Sequence, residues 1–181
     1  MWTVWFPRNK PSRIRPICSA MTMKTLLIRL RPKRRGSSMI DRHQTRRLAF
    51  QTLFNVMFGE DQTDPATVYP TVFELNHITA DDVPPYLNTL VQGVLAQQDE
   101  LDATIQPLLR TNWKLSRLER ATLVLLRLGT YELQFEPDLP TSVILNEMIE
   151  LAKEFGGNDA PQFVNGLLAT VAKHRDSSAQ A

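Results

Sequence analysis

Arg42, Arg46, Phe50 and Phe54 recur at intervals of four residues, a spacing that lines their side chains along one ridge of an α-helix. A ridge that passes from guanidinium to phenyl offers what single-stranded RNA requires: cations for phosphates and flat apolar faces for unstacked bases. Arg47 adds a third cation within six residues, and His43 lies beside them. The cluster stands on an acidic chain, because residues 39–181 hold 11 Lys and Arg against 19 Asp and Glu, a net of −8. Arginines in the first turns of a helix oppose its dipole by about a few tenths of a kcal/mol each. That mild conflict argues for a function outside the helix itself.

Other chemistry is thinly represented. His43, His77 and His174 stand far apart and in no metal-ligand spacing, and the seven glycines form neither a phosphate-cradling loop nor a dinucleotide fingerprint. Glu147 with Glu150, and Asp99 with Asp102, lie one helical turn apart, a geometry open to acid–base work but equally that of a solvated helix face. The residues therefore point to binding rather than catalysis, with no catalytic residue, metal or cofactor expected. Arg117, Arg120 and Arg127 recur at three and seven and could form a second basic strip, although pairing with Glu119, Glu132 or Glu136 is the plainer use.

The elements that must position these residues lie after a leader of a different kind. Residues 1–38 carry ten basic residues and no acid, four of the 12 prolines, two of the three tryptophans and the only cysteine, Cys18. They sustain no helical or strand period. Their longest apolar run, Leu26 to Ile28, is interrupted by Arg29 and is too short for a secretory signal. An Arg-rich, acid-free segment fits a transit peptide or a nucleic-acid-binding arm. The expectation adopted is a third one: Arg34-Arg35 can be encoded by AGG-AGG, Met39 follows three codons later, and that is ribosome-binding-site spacing, so residues 1–38 read as translated upstream sequence. The remaining 143 residues, 39–181, are expected to form one domain that buries about 68–70% of its unfolded surface. They contain no cysteine, so no disulfide or thiolate metal site is open to them, and no stretch approaches the ~20 apolar residues of a membrane span. A cytoplasmic soluble protein is expected.

Within residues 39–181 the hydrophobic period is helical nearly throughout. Asp41 to Phe58 carries Ala49, Leu53, Val56 and Met57 as a core stripe. A weaker helix over Pro65 to Asn76 is limited by Pro70 to short pieces. Asp82 can cap a third helix with Leu87, Leu90, Val91, Val94 and Leu95 inward, and Leu101, Ile105, Leu108 and Leu109 continue after a break near Gln97. Ser116 and Glu119 have capping-box spacing before the Leu118, Leu125, Leu128 stripe, which predicts a central helix. The next helix follows Asp138-Leu139-Pro140, places Val143, Ile144, Met148, Leu151, Ala152 and Phe155 inward, and stops at Gly156-Gly157 in left-handed conformation. The last opens at Pro161 in its first turn and runs through Phe163, Val164, Leu167, Leu168 and Val171. Six or seven helices with short connections make an all-α bundle.

The second half carries an ordered motif series: Asn112-Trp113-Lys114-Leu115, Leu126-Arg127-Leu128 leading to Tyr131-Glu132-Leu133, Asn146-Glu147 with Glu150-Leu151-Ala152-Lys153, and Phe163-Val164-Asn165-Gly166. With Arg46-Arg47-Leu48-Ala49-Phe50-Gln51-Thr52-Leu53-Phe54 at the front, it resembles the NusB family from Met39 to Lys173. The resemblance implies two packed three-helix bundles, a bundle of about seven helices in all. It also implies a role in bacterial transcription antitermination, in complex with the ribosomal protein NusE on boxA RNA, within the RNA polymerase antitermination complex of ribosomal RNA operons. The family includes self-associating members, so a homodimer is also among the expected partners. Carried over residue by residue, the family's RNA contacts fall on Arg42, Arg46 and Arg47, on His43 where another basic residue is frequent, on Phe54 beside the RNA without a tyrosine's hydroxyl, and on Asp159 and Phe163 near the last helix.

For residues outside that set the expected roles are structural. Trp113, Leu126 and Tyr131 should anchor the central helix, and Asn146 and Asn165 should tie helix ends by side-chain to backbone hydrogen bonds. A body at −8 repels RNA at long range, so a cationic partner docking on it should raise RNA affinity. Two rivals remain: a protein-interaction scaffold without RNA contact, and the RNA-binding part of a ribosomal RNA cytosine methyltransferase, which would need a cofactor-binding α/β domain after Ala181.

Overall fold

The structure, a computed structural model, describes residues 40–59, 64–80 and 83–178. The leader 1–38 and the proposed cap Asp82 lie outside these residues. Seven α-helices and two short 3-10 turns account for the described secondary structure: α1 Arg42–Phe58, α2 Pro65–Asn76, α3 Pro85–Ala96, α4 Gln98–Ile105, the turns Gln106–Leu108 and Leu115–Arg117, then α5 Arg120–Phe135, α6 Thr141–Phe155 and α7 Ala160–Ser178. Asp41 starts α1 by accepting the Gln44 N–H at 2.7 Å, and Asp64 starts α2 by accepting the Ala66 N–H at 3.0 Å, each satisfying a donor that the first turn leaves open.

Helix α1 packs against α2 and α3, while α5 packs against α6 and α7, and α1 and α3 both cross to α5, so two three-helix groups share one core. Helix α5 is central: thirteen consecutive residues, Ala121 to Leu133, are buried, and the polar ones among them that carry charge, Arg127 and Glu132, are held by Asp102, Arg46 and Tyr86, as a helix surrounded on all sides requires. Where α3 crosses α5, a Cβ at Gly93 would collide with the Tyr131 ring. Glycine is required there for the close approach rather than for its backbone freedom.

Several local expectations change. Helix α2 runs unbroken through Pro70. That residue is exposed, so the carbonyl it leaves unbonded can face water. The Ser116 and Glu119 pair is not a capping box: Ser116 sits in the 3-10 turn, Glu119 is itself the N-cap, and no side chain caps α5. Gly156 ends α6 in extended backbone, φ −92° and ψ 175°, with its N–H bonded to the Ala152 carbonyl. The left-handed stop predicted there occurs instead at His77, φ 54°, after α2. Leu48 and Phe50 join Ala49 and Leu53 in the core of α1, while Val56 and Met57 stay half-buried.

Candidate nucleic-acid interface

The ridge of α1 divides by burial. Arg46 is 1% exposed and its Nε donates to both Glu132 carboxylate oxygens, at 2.8 and 3.0 Å. Glu132, wholly buried in α5, also accepts the Tyr86 hydroxyl at 2.5 Å. Arg46 therefore leaves the set of expected RNA contacts: a guanidinium locked beneath the surface by a buried carboxylate cannot reach a phosphate. Sequence spacing could not separate it from Arg42, because i and i+4 share a face but not a depth. Phe50, also fully buried, stacks on Phe155 of α6 at 4.5 Å.

The other members of the cluster stay at the surface. Arg42 is exposed, with its guanidinium over the Tyr86 ring at 5.9 Å. His43 Nδ1 lies 2.8 Å from Glu147 Oε2, and Arg47 pairs with Glu154 at 2.8 Å, both in half-exposed settings where a phosphate can exchange for the carboxylate. Phe54 is half-buried, with its ring 6.0 Å from Phe50 and 5.8 Å from Phe58. The acidic body thus supplies counter-charges to its own basic cluster.

From Phe54 a chain of contacts leads to Asp159 and Phe163. Phe58 closes α1, and the exposed Arg120 guanidinium lies over its ring at 5.4 Å. Glu119, next in sequence, accepts the Gly157 N–H at 3.3 Å, which fixes the α6–α7 turn carrying the exposed Asp159. The Asp159 carbonyl then accepts the Phe163 N–H at 3.1 Å in the first turn of α7. Phe58 was not among the expected contacts, whereas Arg120 stood in the second basic strip and Glu119 among its expected partners. An aromatic four residues beyond Phe54, at the same spacing as the rest of the ridge, was the available signal for Phe58.

The remaining assignments divide. Leu126 and Tyr131 are buried in α5 as expected, whereas Trp113 is 48% exposed and anchors nothing in the core. Asn146 and Asn165 lie on exposed helix faces rather than tying helix ends. Arg127 pairs with Asp102 rather than with the glutamates of its neighbourhood, through two hydrogen bonds at 2.7 and 2.6 Å. Glu147 and Glu150 serve His43 and Lys153. Among the described residues no group of three or more His, Cys, Asp or Glu is placed to hold a metal ion, and no helix is long and apolar enough to cross a membrane.

The buried network has a titration consequence. Burial first, and then the charge and hydrogen bond of Glu132, push the Tyr86 hydroxyl well above the ordinary tyrosine range. Tyr69 and Tyr131 are also raised, chiefly by burial. The folded state therefore holds these protons where the unfolded chain, titrating near pH ~10, releases them. This contribution to stability is complete below the unfolded value and is lost as pH rises through and beyond it. The thermal midpoint should be level toward about pH 9 and fall above about pH 10, with a shallower fall for Tyr86→Phe. A midpoint unchanged by about pH 11, followed by circular dichroism, would refute it.

Comparison with known proteins places this geometry among relatives. The profile of the NusB family matches residues 43–173. The chain is 41% identical over 136 residues to the transcription antitermination protein NusB of Lactiplantibacillus plantarum, covering 75% of this chain and 97% of that protein. It is 37% identical over 152 residues to the corresponding protein of Enterococcus faecalis, covering 81% and 99%. Among solved structures it is similar to T. maritima NusB, with a TM-score of 0.67 and 29% identity over 75% of this chain and 93% of that one. A further similarity is to a crystal structure of the antitermination factors NusB and NusE in complex with double-stranded RNA, with a TM-score of 0.65 and 26% identity over 74% and 96%.

Proposed function

The chain belongs to the NusB family, and from that premise we propose that it is a bacterial transcription antitermination factor that binds boxA RNA together with NusE. It acts by binding rather than by catalysis, in the cytoplasm, as part of the RNA polymerase antitermination complex that supports ribosomal RNA operons. The observation that carries this reading is the contact chain from α1 to α7. Arg42 and Arg47 offer positive groups and His43 a ring nitrogen at one end; Phe54 and Phe58 follow, and Arg120, Asp159 and Phe163 close the other end. Half-buried aromatic rings at a surface suit unpaired bases, so single-stranded RNA is the ligand adopted. Arg46 contributes by holding α1 on α5.

The Arg47–Glu154 ion pair and the His43–Glu147 contact make the RNA term weak on its own, because a phosphate must displace a carboxylate at each. Residues 39–181 also repel RNA at long range through their net −8. A basic ribosomal protein on the acidic surface removes that repulsion and extends the RNA track. NusE should therefore raise boxA affinity at least tenfold, about 1.4 kcal/mol of coupling. Binding should also weaken by about 0.7 log units per log unit of salt for each phosphate neutralised. Filter binding of boxA RNA with and without NusE measures both, and equal affinities would overturn the coupling. The self-paired state of Arg47 and His43 favours one alternative, a scaffold that binds protein alone. That alternative predicts unchanged RNA binding by Arg42→Ala/Arg47→Ala.

A further inference from the structure

The carboxylates described above hold Arg46, Arg47, Arg127 and Lys153. Arg110, Lys114 and Arg117, all exposed, have no carboxylate partner among the described residues. They lie together in residues 103–118, which contain no acid, on the connection from α4 to α5. At its centre stands Trp113, 48% exposed and the single tryptophan of residues 39–181. An indole half in water amid free cations is not explained by packing.

The connection is built rather than slack. The Gln106 carboxamide grips it on both sides, its Nε2 donating to the Trp113 carbonyl at 2.8 Å and its Oε1 accepting the Leu115 N–H at 3.3 Å. The Trp113 N–H donates to the Arg110 carbonyl at 2.9 Å. Asn112 takes the left-handed conformation, φ 73°, at a local cost that only a few residue types tolerate. Beside the indole runs an open groove of about 390 Å³ whose lining includes Leu109, Arg110, Trp113, Phe163, Gly166 and Thr170. Gly166 lies within helix α7, where glycine is the poorest former after proline. A Cβ there would meet nothing within 4 Å, so no internal contact demands its absence, and the bare position keeps the groove open to something from outside.

We infer that Trp113 is a base-stacking platform for the same RNA, with Arg110, Lys114 and Arg117 holding the flanking phosphates, so that the bound strand continues past Phe163 onto the α4–α5 connection. The inference rests on the RNA-binding reading above and extends it. Charge chooses the occupant: a cationic rim repels a basic ribosomal protein and attracts a polyanion, and a tryptophan face interleaved with cations is the arrangement that single-stranded nucleic acid uses. Trp113 is thereby a binding residue, and Gln106 a positioning residue acting through it.

The test uses the full chain carrying Trp2→Phe and Trp5→Phe, so that Trp113 is the only fluorophore of its kind, with boxA RNA as probe in the presence of NusE. RNA should quench the Trp113 emission. Trp113→Ala should lower RNA affinity about 5- to 150-fold, the range for losing one stacked base, with its salt slope unchanged, and Trp113→Phe should recover most of the loss. Lys114→Ala/Arg117→Ala should instead reduce the salt slope by about 1.4, two phosphates' worth. Thermal melts matching the parent would place these effects on binding, as half-exposure of the indole leads one to expect. Trp113→Ala binding RNA like the parent, or RNA binding without quenching, overturns the inference. If Arg47→Ala still weakens RNA binding in that case, the proposed function stands without it. Loss of NusE binding by Trp113→Ala with RNA affinity intact makes the groove a protein dock, which also overturns it. A parent that binds no RNA sinks both readings together.

Discussion

Arg46→Ala should lower the free energy of unfolding by about 3–5 kcal/mol, the range for removing one partner of a buried ion pair. Both side chains are withdrawn from water, 1% exposed for Arg46 and fully buried for Glu132. Burial works against the Arg46 charge, but the hydrogen bonds and charge of Glu132 outweigh it and raise the arginine above its ordinary pKa. Truncation leaves the carboxylate with only the Tyr86 hydroxyl as partner. The loss is therefore dominated by a stranded charge rather than by missing methylenes. Arg46→Met/Glu132→Gln, which removes both charges and keeps an acceptor for Tyr86, should recover most of it, to within about 1–2 kcal/mol of the parent. Urea titrations of the parent, both single variants and the double variant measure the coupling directly. A single variant within about 0.5 kcal/mol of the parent would mean that the pair contributes little. RNA binding sharpens the distinction: Arg42→Ala and Arg47→Ala should weaken binding with little change in stability, the reverse of Arg46→Ala.

That contrast also shows what spacing can and cannot reveal. Four-residue periodicity placed Arg42, Arg46, Phe50 and Phe54 on one ridge, and helix boundaries followed from Asp41, Pro65 and Pro161 because caps and first-turn prolines act locally. Depth along the ridge depends on what crosses it. The crossing partners, Glu132 of α5 and Phe155 of α6, lie 86 and 105 residues further along the chain. No local pattern encodes that. The Leu118, Leu125, Leu128 stripe marked α5 as central, since burial leaves a compositional trace, whereas the single-residue choice between Gly156 and His77 for the left-handed stop did not.

The proposed binding surface was legible in the same uneven way. A cation cluster on an acidic chain marked the head of α1, but the sequence gives no sign of which carboxylates fold back onto it. Glu147 and Glu154 do so, on His43 and Arg47, which leaves Arg42 of α1 and the cations of the α4–α5 connection without carboxylate partners among the described residues. Trp113 is expected from sequence to anchor the central helix, and the structure leaves it 48% exposed. Its exposure follows from the Gln106 clip and the Asn112 backbone, neither of which has a signature in residue type alone.

Phe50→Ala tests whether the ridge truly divides. Phe50 is wholly buried and its ring stacks on Phe155 at 4.5 Å with an interplanar angle of 27°. Truncation removes the transfer energy of a phenyl group and leaves a cavity between α1 and α6, together worth about 3–5 kcal/mol. Phe50→Leu should lose only about 1–1.5 kcal/mol, because most of the volume is kept. Phe54, half-buried on the next turn, should cost about 1–2 kcal/mol when truncated while affecting RNA binding more than its stability loss explains. The two variants therefore exchange rank between the assays: Phe50→Ala is the worse in a urea melt, and Phe54→Ala is the worse in RNA affinity measured well below either midpoint. Equal losses in both assays would mean that the two rings form one apolar cluster with no distinct outer face. The α1 surface would then reach RNA through its charges alone. Such a result would relocate base stacking from α1 toward the groove beside α7, because a half-buried ring can stack with a base only if its own packing does not consume the exposed face.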